Sequence, residues 1–206
     1  TKAAETPSFS KKMIVDWQKL NTLRAAAKDE RDPTTPDDVL AVLCQETERM
    51  QNARILEVGT GRGLTSVAFI LAGARHVATI EREETRILAA KETFSAFGVS
   101  DCVTLLEGDA AEILPVLSGE YDLIFLDCAK VQYRRFLPDC KRLLRAGGVL
   151  CADDVLLFAD GVPAKRRMLA KHIEEFVFDL KSDADFKTQV LSVGKGLAVA
   201  RKKDTQ

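Results

Sequence analysis

Arg54-Ile55-Leu56-Glu57-Val58-Gly59-Thr60-Gly61-Arg62-Gly63-Leu64-Thr65 decides the fold. A short apolar run enters three glycines at alternate positions, and an amphipathic stretch over 64–72 follows. That is the pattern of a strand, a tight turn and a helix. Glycines at such a turn let backbone and ligand approach closely, and the helix N-terminus favours an anionic group.

The texture repeats downstream. Apolar runs at 76–80, Val103–Glu107, Tyr121–Leu126 and 149–152 alternate with helical stretches at Glu84–Phe97, 110–117 and 133–144. Strands of this kind, separated by helices, predict a mostly parallel sheet covered on both faces and joined by right-handed crossovers. A helix over 164–180 follows. Strands at 186–193 and 196–201, joined by Gly194-Lys195-Gly196, then predict a C-terminal antiparallel hairpin. The expected architecture is a Rossmann-like, seven-stranded α/β fold.

Upstream, residues 8–28 carry Phe9, Met13, Trp17, Leu20 and Leu23 near helical spacing. The charged stretch 28–33 breaks that pattern. Thr35-Pro36-Asp37-Asp38 then opens a second helix, running to about Met50, with a capping threonine and acids near the positive helix end. Residues 1–50 are expected as helices packing on a core formed by 51–206, in one structural domain.

The 206 residues are 46% hydrophobic and 30% charged, an ordinary balance for a globular protein. Thirty basic residues against 31 acidic argue neither for nor against a nucleic-acid partner. No run is apolar and long enough to span a bilayer, and the N-terminus, with Lys2, Glu5, Lys11 and Lys12, lacks the apolar core of a secretory signal. Cys44, Cys102, Cys128, Cys140 and Cys151 are odd in number, dispersed and never in a C-x-x-C pair. They read as reduced thiols of a cytoplasmic protein. Two histidines, His76 and His172, offer little for a zinc site or a Ser-His-Asp triad. His76 starts a strand, and Trp17 packs the N-terminal helix. A homodimer is the expected assembly.

The glycine turn narrows the ligand. A dinucleotide fold uses G-x-G-x-x-G, whose last glycine falls here on Leu64. Glu57 before the turn would repel a pyrophosphate but attract an ammonium and a sulfonium. That favours S-adenosylmethionine over NAD. Glu81, at the end of the second strand, suits two ribose hydroxyls. Asp109 and Ala110, after the third, offer a carboxylate and a backbone N–H to an adenine edge. All lie at carboxyl ends of parallel strands, where open sheets bind ligands.

The fourth strand ends in Asp127-Cys128-Ala129-Lys130 and the fifth in Asp153-Asp154. Three converging carboxylates repel one another unless a cation sits among them, and oxygen ligands suit Mg²⁺. A metal-bound hydroxyl has a lowered pKa, and Lys130 is placed to take its proton. The oxyanion then attacks the sulfonium methyl in line, helped by positioning and water exclusion.

These residues resemble the catechol and caffeoyl-CoA type of metal-dependent O-methyltransferases, and within it the bacterial tRNA 5-hydroxyuridine methyltransferases. The resemblance covers roughly 53–203. Its donor-loop pattern falls on Glu57, Gly59, Thr60, Gly63 and Thr65, beside Gly61 of the glycine spacing, its ribose acid on Glu81, and its adenine turn on Gly108-Asp109-Ala110. Its D-x-x-K falls on Asp127 and Lys130, implying a metal ligand and a base, and Asp127 is expected to touch the methyl donor as well. Its D-N-V-L segment falls on Asp153-Asp154-Val155-Leu156, implying two further ligands. The ending V-G-x-G-L-A is residues 193–198. Asp154 stands for the usual asparagine, Val131 for a glycine and Lys195 for a common acid. The segment around 29–35, which closes over the donor in the family, matches poorly, so no contact is assigned there.

Two acceptors compete. The resemblance to the tRNA enzymes, which carry a basic cluster after the D-N segment, implies wobble 5-hydroxyuridine, with Lys165, Arg166 and Arg167, and Lys171 one turn on, as charges for tRNA phosphates. A small catechol or phenol would need apolar walls, for which Leu156, Leu157 and Phe158 are candidates. Outside methyl transfer, a dehydrogenase would need the glycine missing at 64. A binding module without catalysis would not need Asp127, Lys130, Asp153 and Asp154 all intact.

Overall fold

A computed structural model describes residues 11–29, 34–159 and 161–204. The expected start of the first helix near residue 8, with Phe9, and the charged residues 30–33 lie outside them. Helix α1 spans Lys11–Asp29 and α2 Asp37–Met50. The alternating body then runs β1 (Arg54–Val58), α3 (Leu64–Leu71), β2 (His76–Glu81), α4 (Glu84–Phe97), β3 (Val103–Glu107), α5 (Ala110–Val116), β4 (Tyr121–Leu126), α6 (Tyr133–Leu143) and β5 (Leu144–Ala152). Helix α7 (Arg167–Ser182) and the hairpin β6 (Phe186–Leu191) and β7 (Leu197–Lys202) complete the chain.

The seven strands form one sheet in the order β3-β2-β1-β4-β5-β7-β6. The first five are parallel; β7 pairs antiparallel with both β5 and β6. Alternate residues of each strand face opposite layers. Leu56, Val58, Ile124, Leu126 and Leu150 meet Leu114 of α5, Tyr133 and Phe136 of α6, and Phe176 of α7. Ile55, Val77, Leu123, Phe125 and Val149 meet Val39 and Leu43 of α2 and Phe69 of α3. Leu20 and Ala27 of α1 pack with Leu40, Val67 and Phe94. The N-terminal helices thus complete one face of the sheet.

The fifth strand starts earlier than its apolar run at 149–152 suggests. Leu144 already pairs with Tyr121, and a bulge separates that pair from Leu123–Val149. Arg145, in the bulge, donates to Asp122. Arg145 and the glycines at 147 and 148 hide the strand from a hydropathy reading. No helix among the described residues is long and apolar enough to cross a membrane.

A candidate active site at the carboxyl tips of the sheet

The turn after β1 is held from two sides. The Gly59 and Thr60 N–H groups donate to the Ile80 carbonyl of β2 (3.0 and 3.2 Å), and Asp127 N–H donates to the Val58 carbonyl (3.0 Å). Gly59 has φ +104°, and a Cβ there would stand 2.2 Å from the Asp127 carbonyl oxygen. Only glycine lets the turn and the β4 tip approach this closely. Gly63, at φ +78° beneath Phe94, starts α3.

A cleft of about 380 Å³ opens over this turn. Gly59, Thr60, Gly61, Thr65, Glu81, Asp109, Ala110, Asp127 and Lys130 line it, as the sequence suggests. Glu81 is buried, and its carboxylate is pinned by three backbone N–H donors: Gly61 (3.0 Å), Arg82 (2.9 Å) and Glu83 (3.1 Å). Asp109 is committed otherwise. Its carboxylate caps α5 through Ala111 N–H (2.8 Å) and accepts from Arg82 (3.1 Å). The Ala111 bond, with help from Arg82, holds its carboxyl below the usual range despite the opposing effect of burial.

Two residues of the predicted loop do not line the cleft. Gly63 is buried against Phe94. Glu57, expected at the loop mouth, instead lies under the turn with 1% of its surface exposed. It accepts hydrogen bonds from Ser66 Oγ and from Thr79 Oγ1 (2.8 Å), and Thr79 in turn bonds Thr60 (2.7 Å). Burial pushes its carboxyl up to about 8. Glu57 therefore braces the turn from below, and electrostatic attraction of a cationic ligand is not its role.

A second, larger cavity of about 1250 Å³ adjoins the first and shares Arg24, Thr34, Thr35 and Asp127 with it. Asp153, Asp154, Lys195 and Trp17 also line it. The three carboxylates are thus brought to one place. Lys130 Nζ lies 3.0 Å from Asp127 Oδ1 and 3.3 Å from Asp154 Oδ2. Burial pulls the Lys130 ammonium down, but Asp127 and Asp154 outweigh it, so it titrates above its usual range. Asp153 is 3% exposed, and burial, reinforced by Asp127 and Asp154, raises its carboxyl to about 7. Asp154 stands at φ +59°, a left-handed conformation that Asp and Asn tolerate better than other side chains. As the side chains stand, no group of three or more His, Cys, Asp or Glu among the described residues is disposed to hold a metal ion.

Sequence reasoning missed the supports. Tyr133 is fully buried and its hydroxyl donates to the carbonyls of Leu126 (2.8 Å) and Asp153 (3.3 Å), joining the tips of β4 and β5. The poorly matching segment does contribute: Thr34 and Thr35 wall both cavities, and the Thr35 hydroxyl bonds that of Thr65 (2.8 Å). Leu157 and Phe158, expected as acceptor walls, pack on the main core. Neither they nor Leu156 line either of these two cavities. Lys165, Arg166 and Arg167 are exposed at the start of α7 and line neither cavity. Trp17 packs beside Leu20 and also lines the second cavity, where its indole N–H is buried without a partner among the described residues.

A carboxylate pinned at the tip of β2, a glycine turn and a carboxylate rim on this strand order define the Rossmann-like methyltransferase class, whose donor is S-adenosylmethionine. The chain matches the O-methyltransferase family over residues 20–203, and it belongs to that family as an S-adenosylmethionine-dependent O-methyltransferase. It is 27% identical to a caffeoyl-CoA O-methyltransferase of Populus kitakamiensis over 82% of this chain and 78% of that one. It is 38% identical to the O-methyltransferase hkm8 of Aspergillus hancockii over 49% of this chain. That match spans only 42% of the fungal protein's length. Among solved structures, a Staphylococcus aureus protein with a provisional caffeoyl-CoA O-methyltransferase assignment superposes with TM-score 0.81. It is 29% identical, covering 93% of this chain and 98% of that one. The fold is shared with TomG of Streptomyces achromogenes, solved with S-adenosylmethionine, at TM-score 0.75 and 22% identity over 95% of this chain and 91% of that one.

Proposed function

We propose that the chain transfers the donor methyl to a hydroxyl with a second oxygen beside it, assisted by a divalent cation, and that the acceptor is 5-hydroxyuridine at the tRNA wobble position. The observation that carries the reading is Asp127, which lines both cavities: the acceptor space opens beside the donor cleft at that residue. The oxygen donors of Asp127, Asp153 and Asp154 fit Mg²⁺ in kind, and three carboxylates against the one Lys130 ammonium favour an added cation. Such an ion, when bound, supplies Lewis acidity that lowers the acceptor hydroxyl's pKa.

The chain's own residues do the rest. The glycine turn and Glu81 fix the nucleoside part of the donor, and Asp127 marks where donor and acceptor meet. Lys130, held as an ammonium by Asp127 and Asp154, donates to oxygen and steadies a developing oxyanion. It becomes a base only when those carboxylates are drawn away from it. Tyr133 keeps the two strand tips in register.

The size of the second cavity supports a nucleotide, since a one-ring phenol needs far less than the several hundred Å³ of an ordinary ligand pocket. The exposed Lys165, Arg166 and Arg167 are available to phosphates outside it. Their absence from both cavity walls favours a second reading, a small catechol. Catechol and 5-hydroxyuridine present the same pair of neighbouring oxygens. Labelled methyl transfer to tRNA carrying 5-hydroxyuridine, set against simple catechols with and without EDTA, tests both parts. We expect turnover on the tRNA that EDTA suppresses; turnover on catechols alone selects the second reading, and full activity in EDTA removes the cation.

A further inference from the structure

Arg24 of α1 sits where the two cavities meet and lines both. Only 9% of its side chain is exposed. Its Nη1 donates to Asp37 Oδ1 at 2.5 Å and its Nη2 to the Thr35 carbonyl. Those bonds use two of the five N–H donors of a guanidinium. Its charge partner is also lopsided. The Asp37 side chain is 91% exposed, and a solvated carboxylate offsets a buried cation weakly.

The other cations along the donor cleft are taken up by the chain's own groups. Arg82 lies 3.1 Å from Asp109, Arg86 lies 3.5 Å from Glu83, and Lys130 lies between Asp127 and Asp154. Arg62 is also engaged within the chain. The donor carries one anionic group, the α-carboxylate of its methionine part. Its nucleoside belongs near Glu81 and Asp109, and its methyl must face the second cavity. The amino-acid part therefore falls toward the junction that Arg24, Thr34 and Thr35 wall.

We propose that the Arg24 guanidinium holds the α-carboxylate of S-adenosylmethionine and acts as a positioning residue. It ties α1, the Thr35 wall and the donor into one unit, and so sets the depth of the sulfonium relative to Asp127. This inference rests on the reading of the second cavity as the acceptor space, while its test uses the donor alone and needs neither acceptor nor cation.

Calorimetry on the full chain tests it with two ligands that differ in one group: S-adenosylmethionine and its decarboxylated form. The wild type should prefer the intact donor by about tenfold or more, the strength of a charge-assisted contact. Arg24→Gln should remove that preference while holding the decarboxylated ligand within about twofold, and Arg24→Lys should restore part of it. Asp37→Asn, which keeps the guanidinium, should not weaken the intact donor. A wild type that binds both ligands alike, or an Arg24→Gln loss equal for both, overturns the assignment.

Discussion

Glu57 is buried among hydroxyls, with no cation among the described residues acting on it, and its carboxyl, raised to about 8, stays protonated near neutrality. An unfolded glutamate titrates near 4.5. Between those values the folded state binds a proton that the unfolded state lacks. Stability from this group is therefore full below the unfolded value and is lost as pH rises toward 8, by at most about 1.4 kcal/mol per pH unit. Glu57→Gln keeps an oxygen for Ser66 and Thr79 and removes the titration. Urea unfolding of both proteins from pH 5 to 8 should show the variant gaining on the wild type as pH rises; parallel profiles would refute the protonated brace. The spacing of the glycines was legible in the sequence and led to the right ligand. The reason attached to Glu57 was not right, because its burial depends on hydroxyls 9 and 22 residues away. Arg24 was illegible for the same cause: its partners lie across a break between two helices.

At the level of elements, the site is the meeting of strand tips, and the joints between them set its precision. Tyr133, the first residue of α6, bonds the last carbonyl of β4 and the carbonyl just beyond β5. Beyond β5, the Val155 and Leu156 N–H groups donate to Gly196 and Lys195 of the hairpin turn, and Gly194 N–H donates to Asp38 of α2 (2.7 Å). The carboxylate rim is thereby braced by the last hairpin, which in turn is braced by the second helix. Tyr133→Phe removes the buried hydroxyl and its bonds to both carbonyls at nearly unchanged shape, and should lower unfolding stability by about 1 kcal/mol or more. Its turnover should fall several-fold more than its donor affinity, as calorimetry beside methyl transfer would show; an equal loss in both would place Tyr133 outside the rim. The seven strands and the order of the helices were legible because each apolar run is short and bounded by turn residues. The early start of β5 was not, since its first pair, Leu144 with Tyr121, is cut off from the apolar run by a glycine-containing bulge.

Over the whole molecule, the sheet reverses its direction of growth between β1 and β4, and the site lies at that reversal. Strands β1 to β3 carry the first cleft, through the glycine turn, Glu81 and Asp109. Strands β4 and β5 carry the carboxylate rim, through Asp127, Asp153 and Asp154. Arg24 of α1, with Thr34 and Thr35 just before α2, roofs both. Sequence reasoning found the floor, where motifs are local, and left the roof unassigned.

Asp127 belongs to both halves, so it offers the most direct test. Labelled methyl transfer by Asp127→Asn should fall by about a thousandfold, as for loss of a group acting in the transition state. Calorimetry should place its S-adenosylmethionine affinity within about fivefold of the wild type, since Glu81 and the glycine turn are untouched. Turnover near the wild-type rate in that variant would contradict the account.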